Sequence, residues 1–410
     1  MSVLSVAKKL NKEFKNDNLG VMADVVPHYE RLTTGALGFD YPTGGGLPLG
    51  RIVTFAGLEH SGKTTGACMM LSAFQRKYPN KTCVYCDVEH SLDIEFQCAM
   101  TGIDPTKMLY VNPEGMSGED IFEYLYELQS EDDIGLIVLD SIPALVSSRD
   151  YDTDIGEDKG MAAGIAKPLA KFIKRMVDQV SMKKNILILV NQVREVGKTF
   201  TGATIYGEPG GHAPKYYSSV KVRFGTRKFT KGDKMDLSDG EEADGFRLLF
   251  KITKNKTFST VRGGGWFTFR YETGYDWKQD LLEIAIKFDF IKRPNNQTYL
   301  LVNLETGEVY KNPENGEELK FRGKQAMLDY LDTHVDFQKE YLDMINKCIA
   351  APDASYGKLL DARVEKDIDA QEKSVMGNND QTEEQFLREQ EQLEKQMKEA
   401  ENAPVVNDLI

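Results

Sequence analysis

The residues Gly57-Leu-Glu-His-Ser-Gly-Lys-Thr-Thr65 fit the spacing GxxxxGK[ST], and the chemistry of that spacing is the holding of phosphate. Its glycines let the backbone turn tightly, so that successive N–H groups surround an anion, and a helix starting at the loop adds its partial positive charge. Lys63 would reach the β- and γ-phosphates of a nucleotide, and the Thr64 hydroxyl would be a ligand of Mg²⁺. The surroundings agree. Arg51-Ile-Val-Thr-Phe-Ala56 reads as a buried strand, and Thr64 to about Tyr78 carries apolar residues at helical spacing as far as Pro79. The expected nucleotide contacts are Gly57, Glu59, His60, Ser61, Gly62, Lys63, Thr64 and Thr65.

Three further strand ends carry partners for such a loop. Leu136-Ile-Val-Leu-Asp140-Ser141 is an apolar run ending in a carboxylate. With a phosphate loop upstream, Asp140 is the natural second partner of Mg²⁺, through water. Asp87-Val-Glu89-His-Ser-Leu-Asp93 follows another apolar run, and ligands of α/β sheets sit at the carboxyl ends of strands. Glu89 there could polarise the water that attacks a γ-phosphate, although its spacing suits a loop of helix-capping acids equally well. Asn191-Gln192 ends a third run, where a neutral amide can report a γ-phosphate by hydrogen bonding. Beyond it, Val193 to Gly211, with Pro209-Gly-Gly211, reads as a long mobile loop. Loops of that length in compact domains are usually functional.

The elements that must position these groups follow from periodicity. The chain has 410 residues, 41% of them hydrophobic and 28% charged, which suits two to three soluble domains. Residues 1–32 form a small segment with Leu4, Ala7, Leu10 and Phe14 on one helical face, which needs a surface to pack on. Residues 33–277 alternate strands (Cys83–Val88, Gly135–Asp140, Asn185–Asn191) with helical segments, the mark of an α/β core with a mainly parallel central sheet. The helices then stop, and Ser218–Phe224, Phe246–Ile252 and Trp266–Tyr271 read as a meander. Residues 278–352 form a small α+β domain, and 353–410 an acidic tail. From Asp361 the tail holds 14 acidic and 6 basic residues, a net of −8 within the chain's −13. Phe386, Gln390, Leu393 and Met397 mark a weak helical stripe there, and disorder or a solvated helix both fit it.

Charge excludes little, because a mildly acidic body can still bind DNA through a local groove. The five sparse cysteines point to a reducing, cytoplasmic setting. Cys83-Val-Tyr-Cys86 has CxxC spacing, but in a strand the two need not share a face, and no second pair completes a zinc site. They read as buried strand residues. No run of 18 apolar residues suggests a membrane span, and Met1 to Leu10 lacks the apolar region of a signal peptide.

Taken in order, these pieces resemble the RecA family of strand-exchange recombinases. The matching segments are Gly44-Gly-Gly-Leu-Pro-Leu-Gly-Arg-Ile-Val53, the phosphate loop, Asp87–Asp93, Val138-Leu-Asp-Ser141, Ile155-Gly-Glu-Asp-Lys-Gly-Met-Ala-Ala163, Asn191-Gln-Val-Arg194, Gly210-Gly-His-Ala-Pro-Lys-Tyr-Tyr217 and Lys254-Asn-Lys256. The resemblance implies a RecA-type ATPase core, a small C-terminal domain, and a helical filament of like subunits on single- and double-stranded DNA, with ATP and Mg²⁺ between neighbours. It implies Glu89 as the catalytic carboxylate and Gln192 as the switch to the DNA loops. Lys254 and Lys256 would reach a neighbour's phosphates, much as an arginine finger does. Asp93, Phe96 and Tyr271 would lie about the nucleotide, the two rings near adenine. Loops at about 150–163 and 193–209 would hold DNA, with Arg194, Lys198, Phe200, Gly210, Gly211 and Lys215 as contacts. The N-terminal helix would pack on the next protomer. The acidic tail would compete with DNA for basic surface or recruit a mediator or single-strand-binding protein. His60, His212 and Pro214 depart from the family pattern, as does the acid-rich first loop. A ring-forming motor on the same core, or a non-catalytic ATP-binding mediator, are the alternatives.

Overall fold

The computed structural model describes residues 29–151, 164–198, 204–230, 241–258, 263–312 and 315–350, together with 8–9 and 12–13. The apolar runs of the sequence lie side by side in one nine-stranded sheet. Its strands are β1 (Arg51–Gly57), β2 (Thr82–Asp87), β3 (Met108–Val111), β4 (Ile134–Asp140), β5 (Ile186–Gln192), β6 (Val220–Phe229), β7 (Gly245–Asn255), β8 (Gly264–Arg270) and β9 (Gly274–Tyr275). The order across the sheet is β9-β8-β7-β6-β1-β5-β4-β2-β3. From β6 to β3 all neighbours are parallel, whereas β7, β8 and β9 pair antiparallel at one side.

Parallel strands need covering on both faces, and their alternation supplies two. Val53, Phe55, Cys83, Tyr85, Leu136, Val138, Ile186 and Ile188 face one layer, made by α2 (Lys63–Lys77) and α3 (Ile94–Thr101). Ile52, Val84, Cys86, Ile137, Leu139, Leu187 and Leu189 face the other, made by α4 (Gly118–Ser130) and α5 (Ala166–Lys183). There Phe122 and Phe172 stack at 4.7 Å. Cys83 and Cys86 therefore sit on opposite faces as free, buried thiols, each pushed up to about 12 by burial. The expected strands all appear, within two residues at most ends. The largest difference is β6, which runs on to Phe229.

Helix starts show what the local sequence dictates. At α4, Ser117 accepts from the Asp120 amide while the Asp120 carboxylate accepts from the Ser117 amide, a reciprocal cap. At α2 the position before the helix is Gly62, at φ 80°, with no side-chain cap. The first N–H groups of α2 are thus left to a ligand.

Beyond the sheet, α6 (Trp277–Lys287) leads to a three-stranded antiparallel sheet of Ile291–Asn295, Thr298–Leu301 and Lys320–Arg322, then α7 (Lys324–Thr333) and α8 (Val335–Ala350). Leu281, Phe288, Ile291, Leu301, Met327, Tyr341 and Ile345 form its core. Leu37 and Tyr41 from α1 (Leu37–Thr43), which precedes the phosphate loop, are buried in the same cluster.

One reading is corrected. Residues 193–211 were expected to form an irregular loop, but Arg194–Lys198 and Thr204–Gly207 pair as an antiparallel hairpin. β-branched and aromatic residues interspersed with polar ones suit a two-stranded ribbon. Leu4, Ala7, Leu10, Phe14, most of the loop at 150–163, Phe200 and the tail from 353 lie outside the described residues. Among the described residues no helix is long and apolar enough to cross a membrane.

Candidate nucleotide site

Sheet register brings the chemistry to one edge. Gly57, at the carboxyl end of β1, lies opposite Gln192 of β5 and Phe224 of β6, and Asp87 of β2 lies opposite Asp140 of β4. The loop from Leu58 to Gly62 turns over this edge and feeds α2. A Cβ at Gly57 would come within 2.4 Å of Ser61 Oγ and 2.7 Å of the Phe224 carbonyl. At Gly66 it would meet the Phe224 ring at 2.7 Å. The close turn thus requires glycine for space, and Gly62 requires it for its positive φ. His60 occupies the left-handed region at φ 56°. Its carbonyl accepts from Thr226 Oγ1 at 3.1 Å, while its ring and Glu59 project into solvent 3.7 Å apart.

The Lys63 amine is turned back onto the loop and donates to the Leu58 carbonyl at 2.7 Å. Burial lowers its pKa, opposed by Asp140, Glu89 and Glu59. Among the described residues Ser61 Oγ is buried without a hydrogen-bond partner. Thr65 Oγ1 accepts from Gln97 Nε2 at 3.4 Å. Thr64 Oγ1 donates to Asp140 Oδ2 at 2.8 Å, and the Tyr85 phenol donates to the same oxygen at 2.6 Å. Burial raises the Asp140 pKa, and the hydrogen bonds from Tyr85 and Thr64 work against that rise.

Glu89 is held on one oxygen by two donors. The Ser141 hydroxyl donates to Oε1, and Gln192 Nε2 donates to it at 2.6 Å. The loop carrying Glu89 is anchored by Asp87, whose carboxylate accepts from the Ser91 and Leu92 amides at 3.3 and 3.0 Å and from the Tyr110 hydroxyl at 3.1 Å. Gln192 in turn accepts from the exposed Arg194 at 3.3 Å. Its neighbour Asn191 donates to the Pro209 carbonyl at 2.9 Å, which ties β5 to Gly210 and Gly211.

A phosphate group fits this edge. The uncapped start of α2, the orphaned Ser61 hydroxyl and the glycine cradle all await an anion with many acceptors. Among the described residues no cluster of three or more acidic, histidine or cysteine side chains could hold a metal. Mg²⁺ at such a loop needs only one or two protein oxygens, the rest coming from phosphate and water. Thr64 and Asp140, in contact at 2.8 Å, could supply that pair.

The other expected residues divide. Asp93 caps α3, accepting from the Phe96 amide at 3.0 Å. Phe96 is half-buried on that helix, against the core. Tyr271 is 42% exposed after β8, and the turn that follows it abuts α3, since a Cβ at Gly274 would lie 2.4 Å from the Ala99 carbonyl. Phe96 and Tyr271 therefore sit on two elements that pack together. Lys254 and Lys256 are not brought to this site. Lys254 pairs with Lys221, and the Lys256 amide donates to the Ser219 carbonyl, whose own amide donates to Ile52. That places Lys254 level with Thr54 and Lys256 level with Ile52, about 10 and 16 Å back along β1 from Gly57. Lys254 Nζ donates to the Lys215 and Tyr216 carbonyls, and Lys256 Nζ to the Tyr216 carbonyl at 3.1 Å. Lys198 lies in the hairpin. Tyr85, Ser141 and Asp87 were not singled out from the sequence for these bonds. The only signal was polar tips in otherwise apolar strands, which demand partners.

The sheet, its two helical layers and the loop over its carboxyl edge define an α/β protein with a RecA-type core. Residues 2–274 match the family model for the RecA N-terminal domain. The chain belongs to the RecA family, and is thereby a RecA-like recombinase or ATPase.

Proposed function

We propose that the chain is an ATP-dependent DNA recombinase that coats single-stranded DNA as a helical filament, pairs it with homologous duplex and exchanges strands. The observation that carries this reading is the bond between Glu89 and Gln192 at the end of β5, a strand that continues into the Arg194–Gly207 hairpin. One contact thereby links a candidate hydrolytic carboxylate to a segment suited to DNA.

In this reading the amides of residues 57–64 and the Lys63 ammonium bind the phosphates, and Thr64 and Asp140 hold Mg²⁺. When bound, the metal neutralises charge on the β- and γ-phosphates. Glu89 orients the attacking water and accepts its proton. Its Oε1 is engaged by Ser141 and Gln192, so full activity requires Gln192 to turn its amide to a γ-phosphate oxygen. That turn also moves Arg194, and through Asn191 it moves Pro209 and the glycines after it. Arg194, Lys198, Phe200, Gly210, Gly211 and Lys215 contact DNA. Phe96 and Tyr271 flank the adenine, with Asp93 between them and the phosphate loop. Lys254 and Lys256 serve the site of the adjoining subunit. Residues 1–32 join subunits, 33–277 form the ATPase core, and 278–352 form the accessory domain. The tail at 353–410 competes with DNA or recruits a mediator or single-strand-binding protein. The cytoplasm is the compartment such work requires.

ATP hydrolysis measured with and without single-stranded DNA, beside Glu89→Gln, tests this. Strong stimulation by DNA and a loss of ~100-fold or more in the variant are expected. A rate indifferent to DNA overturns the reading in favour of a mediator, and closed rings in micrographs overturn it in favour of a motor.

A further inference from the structure

Asp140 receives two hydroxyls on one oxygen, and only that of Thr64 belongs to the phosphate loop. The other comes from Tyr85, in the middle of the neighbouring strand. Tyr85 pairs with Val138, so Asp140, two residues further on, lies on the same sheet face as a diagonal neighbour, within reach of an aromatic side chain. The ring is 1% exposed and packed in the cluster that includes Cys68, Met69 and Val138. A phenylalanine would fill this space. A hydroxyl so deep is costly unless it is bonded, and its acceptor is the Asp140 carboxylate at 2.6 Å.

We propose that Tyr85 is a positioning residue for magnesium. Its phenol fixes the rotation of the Asp140 carboxylate, so that Asp140 and Thr64 present a formed pair to the metal. The inference rests on the nucleotide-site reading above and adds a residue to it, in the strand beside that of Asp140. A bond that orients a metal ligand acts on the affinity for the metal, and the loop amides that hold phosphate do not depend on it. The cost of deleting it therefore appears in metal affinity before it appears in phosphate affinity.

The test is binding of a fluorescent ATP analogue to the full chain, titrated with Mg²⁺ and repeated in chelator, for wild type, Tyr85→Phe, Asp140→Asn and the double variant. The phenylalanine substitution should raise the half-saturating Mg²⁺ about tenfold while leaving metal-free nucleotide affinity unchanged. In the Asp140→Asn background it should add nothing, since the two groups act as one unit. An unchanged Mg²⁺ curve overturns the proposal. So does an equal loss of affinity with and without metal, which would mark Tyr85 as a packing residue only, and a thermal melt without metal identifies misfolding in that case. A wild-type chain that does not bind the analogue at all would instead overturn the nucleotide-site reading itself.

Discussion

Ser61 buries a hydroxyl that nothing in the described chain satisfies. An orphaned buried polar atom of this kind costs about 1–3 kcal/mol. Such groups persist where a ligand completes them. Ser61→Ala should therefore act in opposite directions on two measurements. The ligand-free protein should melt higher, by the equivalent of about 1 kcal/mol, while nucleotide affinity falls, read by calorimetric titration. A fall in both would mean the hydroxyl already has a partner. Gly57 offers a complementary case. Adding a Cβ drives it into Ser61 and the Phe224 carbonyl, so Gly57→Ala should abolish nucleotide binding and lower stability together. His60, with its positive φ and solvent-facing ring, shows a tolerance at the loop tip that Gly57 and Gly62 lack.

Among elements, the joint between α1 and α6 stands out. Asp280 of α6 accepts from the Gly38 amide at the start of α1 at 3.0 and 3.1 Å and from the Tyr275 hydroxyl at 2.5 Å. Asp40 of α1 accepts from the Thr34 amide and hydroxyl and the Gly35 amide. Both are fully buried, and burial pushes Asp280 up to about 7 and Asp40 up to about 6 from an ordinary 3.8. Glu283 and Asp40 add to the rise at Asp280, and Lys77 opposes it at Asp40. Carboxyls raised in this way bind protons more tightly folded than unfolded. Their contribution is fully present below 3.8 and is lost as pH climbs through 6 to 7. The joint should loosen between pH 5 and pH 8. Asp280→Asn, which keeps an acceptor for Gly38 and cannot ionise, should shrink the difference in melting temperature between those two pH values. An unchanged difference would show that the joint does not titrate.

For the whole molecule, the decisive distance is along β1. Its carboxyl end holds the phosphate loop, and Lys254 and Lys256 lie back from that end, level with Thr54 and Ile52. Their ammonium groups donate to the Lys215 and Tyr216 carbonyls of the same chain, not to its phosphate loop. If the lysines serve a neighbour, Glu89→Gln and the double variant Lys254→Ala/Lys256→Ala should each be inactive alone. Mixed, they should recover part of the DNA-stimulated hydrolysis, because some interfaces then pair an intact Glu89 with intact lysines. No recovery from the mixture would confine the lysines to a role within their own subunit.

The phosphate loop, the apolar strands ending in Asp140 and Gln192, and the helix from Lys63 were all legible in the sequence, because each depends on local spacing: glycines at a turn, period two in strands, period 3.6 in a helix. What the sequence could not give were the contacts made by register between strands distant in the chain. Tyr85 and Asp140 are 55 residues apart, Glu89 and Gln192 are 103 apart, and Gly38 and Asp280 are 242 apart. The hairpin at 194–207 was missed for a related reason, since a two-stranded ribbon of mixed polarity has no strong period of its own. The sequence by itself determined where the glycine turn and the helix after it fall and which faces must be buried. Only the tertiary structure decided which hydroxyl meets which carboxylate, and that the lysines lie back from the carboxyl end of β1, because strand order and register are set by packing the whole sheet at once.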